Sequence, residues 1–161
     1  GSDPGGRIGH TAPNATLLVK VACQQAVGVR PSISIFGTDY PTPDGTGVRD
    51  YIHVEDLAVA HLKALDYLRA GGDSTTLNCG YGHGYSVRDV LQMVERVNGG
   101  QALNVVLGPR RAGDPPSLIA HAERIREVLA WRPQFDDLAV IARTQLEWEQ
   151  RLLREPELQR N

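Results

Sequence analysis

Apolar positions along the chain switch between helical and extended spacing. In TLLVKVACQQAV, Leu17, Leu18, Val21 and Ala22 fall on one helical face, and Gly28 ends the pattern. SISIF then alternates with period two, placing Ile33 and Ile35 on one side and Ser34 and Phe36 on the other. A turn-rich loop, YPTPDGTG, leads into a short extended run from about Arg49 to Val54. Helical spacing returns from about Glu55 to Ala70, with Leu57, Ala58, Leu62, Leu65 and Leu68 apolar and Gly71-Gly72 at the end. TTLNCG reads as a second strand. Ser86 caps SVRDVLQMVERV, with Asp89 completing a weak capping box. ALNVVLG reads as a third strand, followed by the basic loop PRRAGDPP. The remainder is helical: residues 122–129, a Trp-Arg-Pro break, then 136–153, with residues 154–161 expected to fray.

Alternating strands and helices predict an α/β (mixed α+β) fold, with residues 1–161 forming a single unit. The strands are few, about three short ones against five helices. The helices at 55–70 and 86–97 each call for a sheet face to pack on, which implies a sheet completed by residues outside this chain. The opening GSDPGGRIGHTAPN is loop chemistry with no strand before the first helix. It is either a leader added to the chain or the middle of something longer.

Composition narrows the function classes. An apolar fraction of 41%, a charged fraction of 22% and a formal charge of −2 describe a globular protein with no electrostatic bias toward nucleic acid or an anionic membrane. No apolar run reaches the roughly 18 residues of a membrane span, and no signal-peptide pattern is present. Cys23 and Cys79 form neither a CxxC nor a disulfide framework, so a cytoplasmic location is expected. The histidines show no metal-ligand spacing, and no metal is expected.

Three segments could carry chemistry. GYGHGYS, residues 80–86, follows a strand-like run and opens a helix, as nucleotide-binding turns do, but its glycines are spaced GxGxG. A tight connection is the favoured reading. In PRRAGDPP, an Arg fork suits phosphate oxygens, and Asp114 could accept from a sugar hydroxyl or orient an Arg; the alternative is a solvated basic turn. Arg49 in VRDYIHV is costly to bury unless paired. Either Asp50 is its partner, or Asp50 points to the other face and Arg49 is left for an anionic ligand. Residue chemistry alone stops at an anion-binding half-domain.

The run FGTDYPTPDGTGVRDYIHVEDLAVAHLKAL, residues 36–65, closely resembles the UDP-glucose 4-epimerases of the extended short-chain dehydrogenase/reductases. The likeness continues through GSDPGGRIG, LNCGYGHGYSVRDV and GPRRAGDPPSLIAHAERIREVLAWRP, covering about residues 1–148. It implies the C-terminal, substrate-binding part of such an enzyme. The N-terminal NAD-binding Rossmann domain is missing, as is the Ser, Tyr and Lys catalytic set. No YxxxK pair exists here: Tyr51, Tyr67, Tyr81 and Tyr85 have no Lys four residues on. By resemblance, Arg49 and Arg111 grip a diphosphate, Asp114 contacts the ribose, Ser34 and Phe36 frame the uracil, and Leu18 lines the site. Leu17, Lys20 and Leu118 depart from the family pattern.

The resemblance implies a UDP-glucose and UDP-galactose ligand within galactose metabolism. NAD serves the complete family enzyme, and none is expected on this chain alone. No catalytic residue is expected here, and the chain is expected to be inactive by itself. Its partner would be the missing N-terminal half, or a second copy in a homodimer or swapped oligomer. Alternatives are a stand-alone nucleotide-sugar-binding module, or a non-catalytic chain that completes its sheet by oligomerising.

Overall fold

A computed structural model describes residues 1–12 and 14–159. In chain order the elements are α1 (Leu18–Ala26), β1 (Ile33–Phe36), β2 (Val48–Arg49), α2 (Val54–Arg69), β3 (Tyr85–Ser86), α3 (Val87–Val97), β4 (Val105–Gly108), β5 (Ser117–Leu118), α4 (Glu123–Val128) and α5 (Leu138–Arg154). The mixed α/β class is as expected, with five α-helices and short strands among the described residues. β1 and β4 pair in parallel, with Ile33 opposite Val105 and Phe36 opposite Gly108. β2 lies between β3, antiparallel to it, and β5, parallel to it.

The core is helical. α1, α3 and α5 pack on one another, burying Ala22, Cys23, Val90, Val94, Ile141 and Ala142. β1 alternates as its sequence requires: Ile33 and Ile35 face this core, and Ser34 and Phe36 face outward. α3 starts at a full capping box. The Ser86 hydroxyl accepts from Asp89 N–H, and the Asp89 carboxylate accepts from Ser86 N–H. α5 is capped by Asp137, which accepts from Ala139 N–H at 2.7 Å.

Several sequence expectations are corrected. TTLNCG forms no strand, because no other strand lies alongside it among the described residues; Arg124 instead ties it down through Thr75 Oγ1 and the Thr76 carbonyl. α3 needs no sheet, since α1 and α5 cover it. α2 does lack cover: Leu62, Leu65 and Leu68 are exposed. Of α1, Val19, Ala22 and Cys23 are buried, whereas Leu17 is an exposed, extended residue just before the helix. Within residues 154–161, Arg154 closes α5 and Pro156–Gln159 form a 3-10 turn; residues 160 and 161 lie outside the described residues.

Lys20 is the least expected member of the interior. Its Nζ donates to Glu149 Oε1 at 2.6 Å and to the His10 carbonyl at 2.7 Å, with both charged side chains buried. Gln145 adds a second bond to Glu149 Oε1 at 2.8 Å. This pair staples α1 to α5.

A second buried set fixes the start of α2. Asp56 accepts from Tyr81 OH at 2.6 Å and from the backbone N–H groups of Gln134 and Phe135, and its carbonyl accepts from Trp131 Nε1. His53, fully buried and stacked on Phe135, caps α2 by accepting from Glu55 N–H on Nδ1. That bond leaves the proton on Nε2, which donates to Thr144 Oγ1 at 3.2 Å.

Two outcomes follow. Removing one partner of a buried ion pair strands the other, so Lys20→Met is expected to cost about 3–5 kcal/mol in urea unfolding. The Lys20→Met/Glu149→Leu double variant is expected to recover most of that loss. Burial pushes the His53 imidazole down from 6.5 to about 4. Between these values the unfolded chain binds a proton that the folded chain refuses, so stability falls with acidification at a limiting slope of about 1.4 kcal/mol per pH unit. His53→Asn, which can still cap, is expected to lose this part of the pH dependence.

Candidate functional site

A cleft of about 660 Å³ opens between the start of α1, β1, β2 and the 109–116 loop. Its lining brings together Leu18, Ser34, Phe36, Arg49, Arg111 and Asp114, every site residue expected from the sequence. These residues come from four separate segments, so their convergence is a property of the fold.

The position of Arg49 is set by its neighbour. Asp50 turns to the other face, where its carboxylate accepts from the N–H groups of Tyr81 and Gly82 at 3.0 Å and of Ala120 at 3.4 Å. Asp50 is therefore a structural anchor for backbone and not the partner of Arg49. The fit is tight: a Cβ at Gly80 would lie 2.5 Å from Asp50 Oδ2. The same bonds occupy the Tyr81 and Gly82 N–H groups of the glycine-rich turn, so these two donors are committed to Asp50 and are not available to a phosphate.

Strand alternation then sends Arg49 into the cleft, where Nη1 donates to the Val48 carbonyl at 2.8 Å. Arg49 Nη2 stands 3.9 Å from Asp114 Oδ1. Arg111 donates through Nε to Asp114 Oδ2 at 2.7 Å, its Nη2 stands in ion-pair contact with the same oxygen at 2.7 Å, and the guanidinium lies 5.1 Å from the centre of the Phe36 ring. One carboxylate thus sits between two guanidinium groups, leaving a net positive charge beside an aromatic face. Of the two readings of Asp114, the structure shows the one in which it orients an Arg. Arg110 does different work: it pairs with Asp39 at 2.7 Å and stacks on Tyr40 at 4.3 Å.

The 40–47 loop is rigid by chemistry. Asp44 accepts from Thr46 N–H at 2.8 Å, Thr46 Oγ1 at 2.7 Å and Ser86 Oγ at 2.5 Å. Burial would raise the Asp44 carboxyl, but these hydrogen bonds outweigh it and hold the group below its ordinary range. Gly45 has a φ of 80°, and a Cβ there would meet the Thr38 carbonyl at 2.2 Å. The loop thereby joins the start of α3 to the entry of β2.

The lining also includes residues that the sequence did not assign to the site: Ala15, Thr16, Arg30, Tyr40, Tyr51 and Val87 among them. Tyr51 was within reach, lying two residues after Arg49 in an extended run. Val87 was not, because only the antiparallel pairing of Val48 with Ser86 carries it there. Burial pushes the Tyr51 phenol up to about 12, against the pull of Arg49, so it remains protonated at neutral pH. The lysines do not join it: Lys20 is committed to Glu149, and Lys63 lies on α2 away from the cleft.

The chain matches the model of the NAD dependent epimerase/dehydratase family over residues 4–80. The UDP-glucose 4-epimerase of Azospirillum brasilense is 56% identical over 152 residues, which are 94% of this chain and 43% of that protein. The structure of UDP-glucose 4-epimerase from Stenotrophomonas maltophila, with bound NAD and formylated UDP-arabinopyranose, is 38% identical. It superposes with a TM-score of 0.90 over 96% of this chain and 46% of its own. The enzyme from Bifidobacterium longum, in complex with NAD+ and UDP, gives 34% identity and a TM-score of 0.84 over 97% of this chain and 45% of its own. The chain thus spans less than half the length of the curated relatives it matches. By sequence and by fold, it belongs to the NAD dependent epimerase/dehydratase family, among the relatives of the UDP-glucose 4-epimerases.

Proposed function

We propose that the cleft holds the UDP moiety of a nucleotide sugar, UDP-glucose or UDP-galactose. The chain then serves as the UDP-sugar-binding portion of a UDP-glucose 4-epimerase of galactose metabolism, working in the cytoplasm and inactive alone. One observation carries this reading: Arg49 and Arg111 converge on a single cleft beside Phe36 and Ser34, although two helices and two strands separate them along the chain. The guanidinium groups take the two phosphates, the Phe36 face and the β1 edge take the base, and Asp114 exchanges part of its Arg contact for a ribose hydroxyl. In the complete enzyme NAD exchanges hydride with the sugar. On this reading the chain's residues supply anchoring only, which the commitment of the Tyr81 and Gly82 N–H groups to Asp50 supports.

Calorimetry with UDP-glucose tests the reading. Submillimolar binding is expected, with no conversion when NAD and UDP-galactose are supplied to this chain alone. Arg49→Gln or Arg111→Gln is expected to weaken binding roughly 10- to 100-fold, the worth of one charged hydrogen bond of about 1.5–3 kcal/mol. Absence of binding by the unaltered chain, or binding indifferent to both substitutions, would refute it.

A second reading concerns partners, and the uncovered stripe of α2 favours it. Leu62, Leu65 and Leu68 lie exposed beside a cavity of about 260 Å³ lined by Ala64, Leu77 and Cys79, and the 75–80 segment has no strand partner among the described residues. This face suits the missing N-terminal half, with a second copy as the substitute when that half is absent. Light scattering is expected to show self-association of this chain; a monomer that binds no apolar dye would overturn this reading.

A further inference from the structure

The cleft contains another arginine that the diphosphate does not account for. Arg30 follows the turn at the end of α1 and lines the cleft with Ser32, Ile33 and Ser34. Its Nε donates to Gln24 Oε1 at 2.7 Å, and Nη2 donates to the Ala15 carbonyl at 3.1 Å. Gln24 is buried on α1, and its carbonyl accepts in turn from the N–H groups of Val29 and Arg30 at 2.8 and 3.3 Å. One planar guanidinium therefore joins three parts of the cleft's frame: the last turns of α1, the entry to β1, and the head of the Ala15–Leu18 run.

That run has few other ties on this side. Upstream, the His10 carbonyl is held by Lys20 Nζ and Trp148 Nε1 on the face toward α5. Ala15, Thr16, Leu17 and Leu18 all line the cleft, and Leu17 precedes α1 without a side-chain cap. The bond from Arg30 to Ala15 fixes where this run stands relative to β1.

Resting on the nucleotide-sugar reading above, we propose that Arg30 is a positioning residue for the nucleoside. It sets the spacing between the Ala15–Leu18 run and β1, and so the width of the slot that receives the base. Arg49 and Arg111 hold the phosphates. Two of the three Arg30 nitrogens are already committed to neutral protein oxygens, which suits a clamp better than a phosphate contact. A Lys at this position would keep the charge but lose the fork that reaches Gln24 and Ala15 together.

UDP titration of the full 161-residue chain, at low and at high salt, tests this. Arg30→Gln and Arg30→Lys are each expected to weaken UDP binding about tenfold, equally at both salts. Gln24→Met, which releases the clamp without touching the cleft lining, is expected to weaken it in the same direction. Melting temperatures confirm folding, and Arg30→Lys carries the test if Arg30→Gln unfolds. Wild-type affinity in Arg30→Gln, or in Gln24→Met, overturns the proposal. Recovery in Arg30→Lys, or a loss that high salt abolishes, makes Arg30 a phosphate ligand and also overturns it. If the unaltered chain binds no UDP, the nucleotide-sugar reading falls first. If it binds UDP and the Arg30 variants bind equally well, only the clamp falls.

Discussion

Consecutive residues of an extended strand point to opposite faces, and at β2 this constraint organises the molecule. Asp50 on one face collects backbone N–H groups from the 80–82 turn and from Ala120, three segments meeting at one carboxylate. Arg49 on the other face is thereby delivered to the cleft. A single register thus settles two things at once: what ties down the glycine-rich turn, and which side chain lines the cleft. A slip of one residue would bury the guanidinium among backbone donors and leave the carboxylate facing Asp114. Gly80 exists in this position because nothing larger clears Asp50.

Around that register the interior relies on polar staples as much as on apolar packing. Asp56 gathers Tyr81 and the backbone at 134 and 135, converting the break between α4 and α5 into a fixed corner. Lys20 and Glu149 lock α1 against α5, which sets the platform from which Leu18 enters the cleft. Both staples lie outside the cleft. Arg49 and Arg111 can therefore change partners without loosening the scaffold.

Legibility from sequence followed the range of the interaction involved. The alternation of β1, the capping box at Ser86 and the long helices α2, α3 and α5 rest on local patterns, and each stands where the pattern placed it. TTLNCG has strand-like residues, but a strand is a relation between two segments, and its neighbour is not among the described residues. β3 and β5 escape a local reading for the converse reason: each is two residues long and exists only by pairing with β2. The inward turn of Lys20 contradicts a hydrophobicity pattern because its counter-charge is 129 residues away. The residues that meet in the cleft were more legible than the fold around them. The cleft's charged residues sit in motifs whose family likeness is strong, whereas Val87 and Arg30 owe their places to pairing and turn geometry. Choosing between the alternatives for Asp50 required knowing what lay on its other side.

Asp114 keeps the cleft from presenting an unopposed pair of arginines. Its carboxylate is a tethered anion within the cleft, and any incoming anion competes with it at an effective concentration of order millimolar or higher. Stray chloride or inorganic phosphate must displace it while offering nothing to Phe36 or to the β1 edge. A ligand that spans the cleft brings those contacts together with its phosphates. On the nucleotide-sugar reading this arrangement would work as a threshold, admitting molecules by the breadth of their chemistry rather than by their charge alone.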